Sequence, residues 1–476
     1  MSNIKKNFLY NLLLTVAGYI SPFLTFPYVS RILGAENIGI VNFATSVVDY
    51  FILFSTLGIT IVGMREIART KGEGGAISQT FSQLVSLHAT ISAIILFFYF
   101  ISICVIPQLK EHSFLYWVGT SKIILNVFLV EWLFRGLQNF KYITLQTLFS
   151  RTLYVIAIFI FVRQRDDYDV FFIITMAQVL INALINWNYS RKYVSFNFSL
   201  KGVRKYVSPL FSWGLNILLL SFYTTFNVMY LGFSCDSKAV GYYTTAIKLY
   251  AIILSVLQAY NGVYIPYLNT LSAKGDMSEF IKVINKSFNI VSTFTIPMVA
   301  FCYIMAPEII MLIAGEEFGS SVLPFRILLF QIIIIGISQI TNSQILLSLK
   351  KDKEILISTM IGSITMLALV VLFVPKYAQV AAAAAVLISH VVEFVFLFYY
   401  AKKSLNFNFP FTAFLKTGFY TIPIILICLL GDILFYNWVE KLLFTTIISS
   451  LYYVLIQYYL VKNELLINMI HKIIKR

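Results

Sequence analysis

The residues of this chain that could do chemistry are charged side chains inside apolar runs. Lys122, Arg151 and Lys248 each lie well inside such a run. At about 1.5 Å per helical residue, each sits on the order of 10 Å from a helix end. Asp49 is near the middle of another run, and a carboxylate is too short to snorkel to water from there. His390 and Glu393 are one helical turn apart and share a face, and His88 lies in a further run. Ionisable groups in hydrocarbon are costly, so each marks a function or a structural partner. Three buried cations against one central carboxylate predict a positively lined cavity. Such a cavity attracts an anion and repels an organic cation. Phosphate is the natural match, because Lys and Arg give it charge-assisted hydrogen bonds.

Blander readings stand beside these. Long cations snorkel, Asp49 can serve a structural ion pair, and a lone buried histidine is usually just hydrogen-bonded. Arg31 and Arg326 stand at span ends, where snorkelling competes with a place in the cavity. Glu131 and Arg135, four residues apart, read as a structural salt bridge. Asp49, His390 and Glu393 are the candidates for binding a coupling proton or cation. Amides within spans could hold a hydroxyl-rich headgroup; they include Asn126, Gln178, Asn182, Asn186, Asn261 and Gln339. Ordinary interhelical hydrogen bonding is the alternative for each.

The elements that position these groups are long and apolar. The chain has 476 residues, of which 59% are hydrophobic and 12% charged. Its mean hydropathy is +0.83. Soluble domains carry about 25% charge, so this is a polytopic membrane protein. The apolar runs are continuous and reach the ~20 residues that a helix needs to cross a bilayer. A membrane barrel would instead alternate over ~10 residues. The fold class predicted is therefore all-α, with about fourteen transmembrane helices. Their approximate ranges are 8–30, 38–62, 81–106, 114–134, 144–162, 169–190, 210–233, 240–264, 288–312, 322–347, 355–374, 378–400, 415–435 and 439–461. The first follows a short basic stretch, is too long for a signal-peptide core, and reads as uncleaved.

The net charge of +15 reflects topology rather than nucleic-acid binding. About 25 of the 36 Lys and Arg fall in segments on the N-terminal side, against about 8 on the other. That bias predicts a multi-pass membrane protein with both termini in the cytoplasm. Residues 278–286 and 463–476 place apolar residues at helical spacing against lysines, as interfacial helices do. Anchoring is the plain reading, and admission of a lipid substrate the other. Cys104, Cys235, Cys302 and Cys428 show no paired spacing, which predicts neither a disulfide framework nor a metal site. No phosphate-binding glycine loop, Gly-x-Ser-x-Gly or His-Glu-x-x-His is present, so no enzyme and no cofactor is expected.

A weak repeat runs at an offset of 202: Ile38-Gly39-Ile40 resembles Val240-Gly241-Tyr242, and a Leu-Gly precedes each. Six spans separate the copies, so the two halves share one orientation. This predicts two six-helix lobes in parallel repeat, 1–206 and 207–403, with a substrate path between them. Residues 404–476 would then hold two extra C-terminal helices and the amphipathic tail.

The stretch Leu24-Thr25-Phe26-Pro27-Tyr28-Val29-Ser30-Arg31-Ile32-Leu33-Gly34 resembles Wzx-type flippases of the bacterial polysaccharide exporter family. So do Gly39, Asn42-Phe43-Ala44, Leu57-Gly58-Ile59, Gly63-Met64-Arg65-Glu66-Ile67-Ala68-Arg69 and Glu131-Trp132-Leu133-Phe134-Arg135-Gly136-Leu137-Gln138. The specific motifs lie in the first third, while span number and order match over the whole chain. The family is similar to multidrug extruders and lipid II flippases, which share one superfamily fold. The resemblance implies flipping of undecaprenyl-pyrophosphate-linked oligosaccharide repeat units across the inner membrane by alternating access, for O-antigen or capsule. Lys122, Arg151, Lys248 and Arg31 would hold the substrate. It implies coupling to a proton or sodium gradient, and as partners membrane lipid and polysaccharide polymerase or assembly proteins. Lipid II flippases carry an Arg-Asp pair early in the first helix. This chain has no charge between Phe8 and Ser30, which favours the Wzx-type branch. The alternatives are a cation-coupled multidrug extruder, a lipid II-type flippase, and a membrane enzyme or scaffold of glycan assembly.

Overall fold

Continuous apolar sequence in a bilayer must satisfy its backbone internally, and this chain does so with helices. The computed structural model describes residues 3–70, 75–405 and 407–459. The helices are α1 (Asn3–Thr56), α2 (Ile59–Thr70), α3 (Ala76–Val105), α4 (Pro107–Glu111), α5 (Ser113–Asn126), α6 (Glu131–Gly136), α7 (Phe140–Phe161), α8 (Tyr168–Ser190), α9 (Arg204–Ser221) and α10 (Thr225–Ser234). There follow α11 (Ser237–Lys274), α12 (Met277–Ile304), α13 (Ala306–Ile313), α14 (Val322–Gln339), α15 (Asp352–Ser404), α16 (Phe411–Leu434) and α17 (Trp438–Tyr459). A π-helical segment, Ile340–Leu346, continues α14.

Among the described residues, eleven helices are long and apolar enough to span, or twelve when α9 and α10, bent by 51°, count as one. Every one of the fourteen expected ranges overlaps one of these. The number fourteen itself depends on counting two long helices twice. In α1, Gly34 at φ 73 interrupts the helix. In α15, Ala378 at φ 45 does the same, three residues after Pro375, which has no N–H to give. α15 is a hairpin: Thr359 Oγ1 donates to Glu393 Oε1 at 3.0 Å although 34 residues separate them. A straight helix would hold those residues about 51 Å apart.

The chain forms two compact units. The first comprises Met1–Thr244 and Met366–Ala382. Here α1 packs on α3, α5, α7 and α10, and α2 on α6. Its core includes Ile67, Phe81, Leu84, Trp132, Leu133 and Phe134. The second comprises Thr245–Thr365 and Ala383–Arg476. Here α12 packs on α14 and α16, and α17 on α16. Division by repeat at 206/207 and 403/404 thus differs from division by compactness, because the long helices α11 and α15 each contribute to both units.

The repeat touches itself inside the first unit. A β-carbon on Gly39 would stand 1.7 Å from the Ser237 carbonyl oxygen, and one on Gly241 would stand 2.0 Å from the Ala35 carbonyl oxygen. Only glycine allows this approach, so the two backbones cross in contact. Beside the crossing, Asn42 Nδ2 donates to Thr244 Oγ1 at 3.0 Å. Those two residues are themselves 202 positions apart.

The amphipathic stretch 278–286 lies in α12, with Phe280, Val283 and Ile284 buried. Glu279 and Lys282 pair on the exposed side at 3.4 Å. The stretch 463–476 lies outside the described residues.

Candidate functional site

Three helix faces build a polar cavity of about 670 Å³ in the first unit. On α7, Gln146, Thr147, Ser150 and Arg151 line it; spacing of four places them on adjoining strips of one face. On α8, Gln178, Asn182 and Asn186 line it at strict four-residue spacing, forming an amide stripe. From α6 come Glu131, Trp132 and Arg135, and from the turn before it Leu129, joined by Asn126 at the end of α5 and by Thr60 and Met64 of α2.

The cavity wall is internally bonded. Gln146 Nε2 donates to Asn182 Oδ1 at 2.5 Å. Tyr142 Oη donates to Asn186 Oδ1 at 2.9 Å. Asn126 Nδ2 donates to Thr56 Oγ1 at 2.9 Å and lies 3.4 Å from His88 Nε2. Arg135 meets Glu131 Oε1 through Nε at 2.8 Å and Nη2 at 2.6 Å. The Arg151 guanidinium reaches toward α1, where a β-carbon on Gly18 would stand 3.5 Å from its Nη1. Two arginines against one glutamate leave the cavity one positive charge in excess. It offers an anion guanidinium donors, and it offers hydroxyls a row of amides.

The structure scatters the other sequence candidates. Lys122 Nζ bonds Asp49 Oδ1 at 2.5 Å, so these two pair with each other in the first unit. Arg31 is exposed on α1 ahead of the break at Gly34. Lys248 is half-buried on α11 in the second unit. His390 Nδ1 lies 3.2 Å from Glu393 Oε2, and Glu393 is buried with Thr359 as its second partner. Of the four proposed cations, Arg151 alone lines the polar cavity. Among the described residues, no group of three His, Cys, Asp or Glu could hold a metal ion.

Two features escape a sequence reading. Gln146, Thr147 and Ser150 join Arg151; their four-residue spacing is the signal that would have found them. In the second unit Lys441 of α17 bonds both Glu308 of α13 and Asp432 of α16. Lys441 reads from sequence as a topology charge at a span end, but its side chain is 13% exposed and buried between two carboxylates.

The family model described as polysaccharide biosynthesis protein matches residues 4–272, more than half of the chain. The chain belongs to the polysaccharide biosynthesis protein family. This agrees with the exporter-type resemblance in its first third. A provisionally named O-antigen transporter of Escherichia coli (strain K12) is 22% identical over 360 residues, covering 74% of this chain and 85% of that protein. One of Shigella dysenteriae is 25% identical over 356 residues, covering 74% and 88%. Among solved structures, the lipid II flippase MurJ in an inward closed conformation superposes with a TM-score of 0.76, at 14% identity, over 96% of this chain and 99% of that one. An outward-facing multidrug resistance MATE family transporter of the MOP superfamily superposes at 0.53, with 13% identity, over 83% and 94%. This polysaccharide biosynthesis protein therefore shares its fold with these solved transporters.

Proposed function

We propose that this protein flips a polyprenyl-pyrophosphate-linked oligosaccharide across the bacterial inner membrane by alternating access, for an O-antigen or capsule-type polysaccharide. The observation that carries this is Arg151 set among amides in one membrane-embedded cavity. An anion beside hydroxyls is the chemistry such a wall accommodates, and a pyrophosphate joined to sugar has both. Arg151 and Arg135 would hold the pyrophosphate. Gln146, Gln178, Asn182 and Asn186 would bond sugar hydroxyls, and the polyprenyl tail would stay in lipid. Family membership and the relatives' names support transport rather than catalysis.

Lys122, Lys248 and Arg31 are proposed as further anion contacts along the path. Asp49 binds Lys122, so a proton or sodium ion captured by Asp49 would release that lysine to the substrate. His390 with Glu393 is the second proposed coupling site. Both termini would lie in the cytoplasm, and a polymerase would take the flipped unit on the far side.

The test is a strain lacking this gene, assayed for surface polysaccharide and for the membrane face on which the lipid-linked unit accumulates. Loss of surface glycan with precursor trapped inside is expected. Normal glycan with new sensitivity to organic cations would overturn the reading in favour of an extruder.

A further inference from the structure

The segment joining α8 to α9 has no regular secondary structure from 194 to 200, yet it is tied along α3 by a ladder. Ser195, Asn197 and Ser199 donate their backbone N–H groups to the hydroxyls of Ser78, Ser82 and Ser86, at 3.2, 3.0 and 2.9 Å. The spacing matches, since four helical residues rise about 6 Å and two extended residues about 6.6 Å. Gln83 extends the ladder by donating to the Lys201 carbonyl at 2.7 Å and accepting from Tyr206 Oη at 3.1 Å.

This strap faces outward with a mixed apolar and basic surface. Phe196, Phe198 and Leu200, every second residue, are exposed. Arg191, Lys192, Lys201, Arg204 and Lys205 flank them, all exposed. No carboxylate occurs between Asp169, in the first turn of α8, and Asp236, so none lies on the strap, on α9 or on the rest of α8. Under the strap lies a cavity of about 760 Å³, separate from the one holding Arg151. Arg191, Lys192 and the Ser195 hydroxyl give it polar groups, while the Ser190 hydroxyl donates to the Trp187 carbonyl at 2.7 Å. Trp187 and Phe196 close its other side, with ring centroids 5.4 Å apart.

We infer that this strap is a binding site for the phosphate headgroup of an anionic phospholipid. Arg191 and Lys192 take the phosphate, and the exposed phenylalanines insert at the level of the acyl ester groups. Guanidinium and ammonium donors supply the charge-assisted bonds that a phosphodiester requires. Aromatic side chains beside basic ones suit the boundary between headgroup and hydrocarbon. The ladder fixes the strap, so the site is formed before the lipid arrives. This site does not depend on what the protein transports.

Native mass spectrometry of the full-length protein in nonionic detergent, with equal phosphatidylglycerol and phosphatidylcholine added, tests it. The unmodified protein should retain phosphatidylglycerol selectively. An Arg191→Gln/Lys192→Gln variant should lose it by roughly an order of magnitude, as expected for two basic residues at an anionic surface. A Lys402→Gln/Lys403→Gln variant, which removes the same charge elsewhere, should retain it. Freeing the strap by Ser78→Ala/Ser82→Ala/Ser86→Ala should mimic the first variant; should that protein fail to fold, the Arg191/Lys192 result decides alone. Equal retention by the Arg191/Lys192 variant, retention of phosphatidylcholine as readily as phosphatidylglycerol, or displacement by added inorganic phosphate would each overturn the inference.

Discussion

The two units each contain a cavity, and the two differ in how they treat charge. The cavity of the first unit is lined by Arg151, Arg135, Glu131 and a row of amides. That of the second, about 440 Å³, is lined by Phe294, Pro297, Met298, Phe301, Ile424 and Tyr453, with Thr446, Ser449 and Ser450 as its small hydroxyls. The second unit has charges too, but it closes them off. Lys441 takes Glu308 and Asp432 on itself, away from the cavity wall. His390 and Glu393 turn toward each other. The polar chamber is built by α2 and α5 to α8, and the apolar one by α12, α16 and α17. On the proposed function, the difference makes the Arg151 cavity the principal anion contact, with Lys248 of the second unit a secondary one.

The largest effect should come from breaking the closed cluster. Lys441→Met leaves Glu308 and Asp432 without their cation, and one oxygen of Glu308 already lacks a hydrogen-bond partner among the described residues. Removing one partner of a fully buried ion pair costs about 3–5 kcal/mol; Asp432 is 43% exposed and keeps its water, so the lower end of that range is expected. Thermal unfolding in detergent should show a marked loss of stability, and a Glu308→Gln/Lys441→Met double variant should recover part of it.

Next comes Arg151→Gln, which tests whether the first cavity handles the anion. A hydrogen bond to a charged group contributes about 1.5–3 kcal/mol, hence a loss of roughly 10- to 100-fold in transport. The readout is precursor accumulation at matched protein level. A variant that transports normally would remove the cavity from the mechanism.

Asn182→Leu should cost less, about 1–3 kcal/mol, because it strands the Gln146 amide in a partly wet wall. Its signature is a preference shift among repeat units of different sugar content. Smallest of all, Met298→Leu in the second cavity conserves volume and should stay under about 1.5 kcal/mol in stability, with transport unaltered. Strong loss of transport there would erase the contrast between the two units.

Much of the fold was legible in the sequence because hydrocarbon is a demanding solvent. Runs of Leu, Ile and Phe long enough to cross it announce themselves, and the glycines at 39 and 241, matched in sequence, are the two at which the backbones cross. The site was legible only in pieces. Asp49 and Lys122 each stood out as charges in lipid, but nothing in the chain says that residues 73 apart meet. Gln178, Asn182 and Asn186 were each noticed as span amides, and their common spacing puts them on one stripe. Which neighbour that stripe faces depends on how α8 is rotated against α7. The ion pair of Lys441 was not legible in the sequence because its partner Glu308 lies 133 residues earlier.

The crossing at Gly39 and Gly241 has a historical consequence. Position 39 meets the second copy of position 35, and position 241 meets the first copy. That reciprocity defines the isologous interface of a symmetric dimer. A gene half this length, making two identical subunits, could form the same crossing with one glycine encoded once and used twice. Duplication and fusion of such a gene would make each glycine a separate locus, and the covalent chain would then be free to relax symmetry away from the crossing.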